Sequence, residues 1–179
     1  MATRKLSINN CDDRMKLSFA VATETDAVAI AALRNAAADD LTRLYSHGSW
    51  SSRVTEKGVL FDMRNSRVVI ARNGTNITAT LRLATKKPWA IDTAYFTSVP
   101  KALYLTAMAV HPEMQGKGVG RRLLDEAKSL AKDWPSDAIR LDAYDAEAGA
   151  GGFYAKCGFR EVGHVIYRKT PLVYFELLL

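Results

Sequence analysis

Leu17, Phe19 and Val21 alternate with Ser18, Ala20 and Ala22, the two-residue period of a half-buried strand, and Thr23 or Thr25 stands where it can cap a helix. The pattern predicts that helix from about Asp26 to Ala38, with Val28, Ala31, Ala32 and Asn35 near one face, and a second helical piece from Asp40 to Tyr45. His47 to Ser52, with Gly48 and Trp50, reads as a loop, and Ser52 to Met63 as a short helix. Arg67 to Arg72 and Ile77 to Leu83 read as strands joined at Asn73-Gly74, a strong hairpin signal, so they form an antiparallel pair. Lys86 to Pro100, with Trp89, Tyr95 and Phe96, is expected to be irregular and partly packed. Ala102 to Val110 is an apolar strand ended by His111-Pro112.

Gly120 to Trp134 has the clearest helical period: Leu123, Leu124, Ala127, Leu130, Ala131 and Trp134 line one face, and Pro135 stops it. Ala138 to Ala143 follows as a strand, then Gly149 to Cys157 as a short helix closed by Gly158. Phe159 to Val162, Val165 to Arg168 and Leu172 to Leu178 are the last strands. The order is that of an α/β protein with one mixed sheet. No repeat or linker divides it, so one domain is expected over residues 17–179, behind a polar leader over residues 1–16.

Composition narrows the classes. The chain has 179 residues, 48% hydrophobic and 25% charged, and no apolar run of the roughly 20 residues that cross a bilayer. The leader lacks a secretory signal, and the two cysteines, Cys11 and Cys157, have no metal-ligand spacing; free thiols, a cytoplasmic location and no bound metal are the expectation. Cys157 reads as core packing. The net charge of +6 is spread rather than clustered, which argues against nucleic acid and equally suits capture of a polyphosphate coenzyme.

The candidate chemistry lies at Gln115-Gly116-Lys117-Gly118-Val119-Gly120-Arg121, between an apolar strand and the best helix. A helix N-terminus presents free backbone N–H groups and partial positive charge, and glycines let the backbone curl around a pyrophosphate. Lys117 and Arg121 add charge. The plainer reading is a flexible connection. The third glycine of a dinucleotide fingerprint is missing, and so is the Gly-Lys-Ser/Thr of a nucleoside-triphosphate loop.

Here the chain resembles the GCN5-related N-acetyltransferase (GNAT) superfamily, whose Q/R-x-x-G-x-G/A motif is matched by Gln115, Gly118 and Gly120. A second segment, Phe153-Tyr154-Ala155-Lys156-Cys157-Gly158-Phe159, is similar to that family's helix-to-strand segment. The resemblance covers residues 17–179 and implies a twisted mixed sheet of about seven strands flanked by about four helices. It implies acetyl-CoA as co-substrate, held by Gln115 to Arg121 and by the backbone of a bulged strand at Met108, Ala109 and Val110. It also implies transfer of the acetyl group to a primary amine of a small molecule or peptide by direct attack. Many members of the family carry an Asn that contacts the pantetheine arm where this chain has Glu147.

Tyr154 matches the tyrosine that often protonates the departing thiolate, a role suited to a phenol neutral at pH 7; its plain reading is an aromatic on a packed helix face. Asp142 falls where some members place a general base, and otherwise reads as a polar residue on a half-exposed strand. Glu24, Glu113 and His111 are weaker candidates. A coenzyme-binding sensor without turnover is the alternative function. The acceptor amine has no motif, and the apolar last strand leaves a homodimer open.

Overall fold

The computed structural model describes residues 16–179, so Cys11 and all of the expected leader but Lys16 lie outside the described residues. In chain order the elements are β1 (Leu17–Val21), α1 (Ala27–Tyr45), α2 (Glu56–Asn65), β2 (Arg67–Asn73), β3 (Asn76–Ala84), β4 (Ala102–Val110), α3 (Val119–Asp133), β5 (Ala138–Tyr144), α4 (Gly151–Lys156), β6 (Arg160–Tyr167) and β7 (Thr170–Leu178). The strands make one sheet in the order β1-β2-β3-β4-β5-β7-β6. Every neighbouring pair is antiparallel except β4 and β5, which are parallel.

Alternation along the strands feeds two layers. Val69, Ala71, Leu81, Leu83, Leu103, Leu105, Ile139 and Leu141 face α3 and α4, where Leu123, Leu124, Ala127, Tyr154 and Phe159 complete the main core. Val68 and Ile70 face the other way and pack on Ala27, Ile30 and Ala31 of α1 and Val59 of α2. The loop between β3 and β4 is irregular as expected; its Ile91 and Phe96 are buried against Tyr104 and Tyr174, while Trp89 stands in solvent.

Three expectations are corrected. The two helical pieces expected between Asp26 and Tyr45 are one helix: Asp39 and Asp40 stay outside, paired with Arg53 and Arg43 at 2.6 Å each, and do not interrupt it. Its buried residues are Ala27, Ile30, Ala31, Leu33 and Arg34, whereas Val28 is 61% exposed and Ala32 is also exposed, because alanines on every side let packing choose the face. The two short strands expected at 159–162 and 165–168 are one strand with a bulge between Glu161 and Gly163, where the Tyr95 ring occupies the space a Cβ of Gly163 would need. The apolar last strand lies between β5 and β6 with both edges paired. The hairpin is confirmed, although Asn73 and Asn76 pair, making Gly74 and Thr75 the turn.

A buried ion cluster ties the β3–β4 loop to the sheet. Glu176 accepts from Arg140 Nε and Arg160 Nη2, each at 3.2 Å, and from the Thr97 backbone N–H at 3.3 Å. Burial alone would raise this carboxyl, but hydrogen bonds from Thr97, Arg160 and Arg140 outweigh it and hold the group below the ordinary glutamate value. A depressed carboxyl contributes stability that is present above its unfolded titration and lost as pH falls through the folded one. Glu176→Gln is therefore expected to cost about 3–5 kcal/mol in urea denaturation at neutral pH, leaving buried Arg140 short of its partner. The variant should also lose part of the acid sensitivity of the wild-type chain.

Candidate active site

The parallel pairing of β4 with β5 runs only from Ala102↔Ala138 to Tyr104↔Arg140, although β4 continues to Val110 and β5 to Tyr144. On its other edge β4 stays paired with β3, but the register slips: Thr80 opposes Ala109 and Arg82 opposes Thr106, which inserts one extra residue into β4. Ala107 sits within that bulge with φ of 51°, a left-handed conformation that an L-residue with a Cβ adopts at a cost of about 1–2 kcal/mol. The bulge kinks β4 away from β5, and beyond Leu105 the β5-facing N–H and C=O groups of β4 have no strand partner. A cleft of about 460 Å³ opens in the gap, lined by Leu105 to Ala109, Asp142 to Tyr144, Tyr154 and, from the α1 side, Arg34, Ala38 and Trp50.

The expected coenzyme segment stands at the end of the bulged strand. Met108, Ala109 and Val110 are half-buried at the C-terminal end of β4. The Gln115 side-chain amide donates to the Val110 carbonyl at 3.3 Å, tying the turn to the strand. Gly116 and Lys117 are exposed, and Gly118 caps α3 with φ of 77°, in the region that favours glycine. Val119 is buried beneath the first turn of α3, whose N–H groups before Arg122 have no intrahelical acceptor. A Cβ on Gly120 would meet Val110 Cγ2 at 3.3 Å and Phe153 Cζ at 3.4 Å, so this glycine permits α3 to begin against both β4 and α4. Arg121 turns elsewhere: its Nη2 donates to the Lys156 carbonyl at 2.6 Å, capping the end of α4.

Tyr154 and Asp142 reach the cleft from opposite directions. Tyr154, on α4, is buried among Phe153, Phe159 and Phe175, and its hydroxyl donates to Met108 Sδ at 3.7 Å. Burial, then the charge of Asp142, push its phenol well above the ordinary tyrosine value, so it holds its proton at neutral pH. Asp142 lies on β5 opposite Tyr174, and burial raises its carboxyl above the ordinary aspartate value. The weaker candidates do not join them: Glu24 and Glu113 are exposed, and His111 accepts from the Glu113 N–H in the turn after β4. Glu147 is exposed ahead of α4, which starts late, at Gly151.

Sequence reasoning missed Ala107, Thr106 and Arg34. Nothing in an alanine or a threonine inside an apolar strand signals a bulge. Arg34 carried a signal, as the one cation in the alanine-rich stretch from Ala27 to Ala38, but the helix face was assigned one residue out of phase.

Residues 30–159 match the acetyltransferase (GNAT) family. Over 69 residues the chain is 32% identical to aminoglycoside N(6')-acetyltransferase type 1 of Stenotrophomonas maltophilia, a match covering 38% of this chain and 45% of that relative, less than half its length. Among solved structures, the yncA protein of Salmonella typhimurium, determined with its cofactor acetyl-CoA, superposes with a TM-score of 0.69 at 18% identity, covering 91% of this chain and 94% of that one. Ribosomal-protein-alanine N-acetyltransferase of Brucella melitensis superposes with a TM-score of 0.70 at 18% identity, over 90% and 99%.

Two substitutions probe this geometry through stability. Gly118→Ala forces a Cβ into a left-handed position and should cost about 1–2 kcal/mol, read as a lower urea midpoint at unchanged slope. Asp142 has the opposite sign to Glu176: a raised carboxyl gives stability at low pH that is lost as pH rises through its folded titration. Asp142→Asn should therefore be more stable than the wild type at neutral pH, with the difference closing below the ordinary aspartate range.

Proposed function

The chain belongs to the GNAT acetyltransferase family, and from that premise we propose that it transfers an acetyl group from acetyl-CoA to an amine, both bound in the cleft between β4 and β5. The observation that carries the proposal is a convergence at one place of three features. They are the bulge at Ala107, the glycine-opened start of α3 packed on Val110 and Phe153, and the Tyr154 hydroxyl at Met108. The fold is shared with structures such as the Salmonella protein that binds acetyl-CoA.

The residues present fit the coenzyme. Gly116 and Gly118 have open space where a Cβ would project, and the free N–H groups of the α3 first turn suit a diphosphate. Gln115, Lys117, Val119, Gly120 and Arg121 complete that turn, Arg121 acting by fixing α4 beside it. Bound there, acetyl-CoA supplies an activated acetyl thioester. The backbone N–H groups of the stretch Met108, Ala109 and Val110 that face away from β3 would hold the pantetheine amides and polarise the thioester carbonyl. Asp142 accepts a proton from the incoming amine, directly or through water, as the new C–N bond forms. Tyr154 gives its phenolic proton to the sulfur as the C–S bond breaks. A buried phenol lining the cleft, where it can serve as a proton donor, favours turnover over a sensor that only binds coenzyme. The domain is proposed to span residues 17–179. Among the described residues no helix is long and apolar enough to cross a membrane.

Thiol release with a panel of amines tests the reading, together with calorimetry for acetyl-CoA. Tyr154→Phe should lower kcat on the order of 10²- to 10⁴-fold while still taking up acetyl-CoA. Gly118→Val should weaken uptake by about tenfold or more, the equivalent of one lost hydrogen bond to a charged group. The acidic limb of kcat/KM should lie above the ordinary aspartate range, since Asp142 acts only when deprotonated, and should disappear in Asp142→Asn. A folded protein that takes up no acetyl-CoA would refute the proposal.

A further inference from the structure

The cleft contains polar atoms that the fold leaves unsatisfied. Arg34, with a side chain 7% exposed, donates from Nη1 to Asp62 Oδ2 at 3.0 Å, yet its Nε and Nη2 have no hydrogen-bond partner. Trp50 Nε1 and Thr106 Oγ1 are likewise buried and unpartnered. All three residues line the cleft that holds Asp142 and Tyr154. Among the described residues one other buried side-chain atom is in this condition, Thr80 Oγ1, on the residue opposite Ala109 of the bulged strand.

Folded proteins pair nearly all of their buried polar groups, so several orphans in one cavity point to a ligand that completes them. The orphans define its chemistry. Arg34 and Trp50 offer N–H donors, and Thr106 can donate as well. The free edge of Arg34, Nε with Nη2, is the fork that meets two oxygens of a carboxylate. Among the described residues its one ion-pair partner is Asp62. Asp62 is shared with Arg82, whose Nη1 lies 3.1 Å from Oδ1, so two guanidinium groups divide one carboxylate. Arg82 is also the register partner of Thr106, which places this positive surplus beside the cleft wall. Trp50 is held in place edge-on to Tyr144, with ring centroids 5.4 Å apart.

We propose that the acceptor is a free amino acid, its carboxylate bound by the Nε/Nη2 edge of Arg34 with Trp50 Nε1 and Thr106 Oγ1 alongside, and its amine directed to Asp142. This rests on the acetyltransferase reading and deepens it. A polycationic acceptor, such as the aminoglycoside of the relative in Stenotrophomonas maltophilia, would instead meet the surplus charge of Arg34.

The test uses the full chain, acetyl-CoA and thiol release, with the free proteinogenic amino acids, their α-carboxamides, the matching decarboxylated amines, short peptides and kanamycin as acceptors. One or more amino acids should exceed their carboxamides in kcat/KM on the order of 10- to 100-fold, the contribution of a hydrogen bond to a charged group. Arg34→Gln should remove that preference mainly through KM, and Arg34→Lys should restore part of it. Should Arg34→Gln fail to fold, the comparison of acids with carboxamides on the wild-type chain still decides the matter. Equal use of carboxamides, or turnover of only the peptides or kanamycin, overturns the proposal. So does a protein that takes up acetyl-CoA in calorimetry but accepts no amino acid. Absence of acetyl-CoA uptake would instead remove the acetyltransferase reading on which the proposal stands.

Discussion

Two parallel strands at the centre of a sheet would ordinarily bond along their whole shared length, because backbone N–H and C=O groups left bare in an interior are costly. β4 and β5 stop after Tyr104 and Arg140. The extra residue at Ala107, held in a left-handed conformation, makes the two strands diverge, and β3 keeps the far edge of β4 paired so that the divergence does not unravel the sheet. A strained residue kept at the mouth of a cleft is where the surrounding structure is expected to over-determine the backbone. The cleft, its exposed peptide groups and the side chains that reach it all follow from this parting.

The elements around the gap are fastened to one another, which keeps it open at a defined width. Gln115 bonds the turn to Val110, Gly120 lets α3 touch β4 and α4, and Arg121 and Lys128 cap the end of α4 at the Lys156 and Cys157 carbonyls. Tyr154 closes the circuit at Met108. On the other side of the sheet the wall is electrostatic. Asp142 lies partly buried, its charged form disfavoured, and Arg34 is held by half of a shared carboxylate. Such an arrangement sacrifices some stability for readiness to engage a ligand, as active sites commonly do.

The glycine-rich turn of the candidate site was legible along the chain, since Gln115, Gly118 and Gly120 needed only a strand before them and an amphipathic helix after them. Of the rest of the cleft lining, Met108, Ala109, Asp142 and Tyr154 were too, and the remainder was not. It is assembled from α1, the loop at Trp50, β4 and β5, segments more than a hundred residues apart at the extremes, with no local pattern in common. In α1 the abundance of alanine removed the contrast between faces, so the stripe ending at Arg34 could be found only once the helix lay on Val68 and Ile70.

The sequence by itself determined the elements whose signal is local: the hairpin after β2, the long helix α3 with its Gly-rich entry, the stop at Pro135 and the strand that ends at Val110. Their periodicity and turn chemistry act over a few residues and are written in consecutive positions. Tertiary structure alone decided the strand order, which made the last strand interior, the place where β4 and β5 part, and the meeting of Arg34, Thr106, Trp50 and Asp142 in one cleft. Those are set by registers and packing between distant segments, whose energies belong to pairs of residues rather than to any stretch of chain.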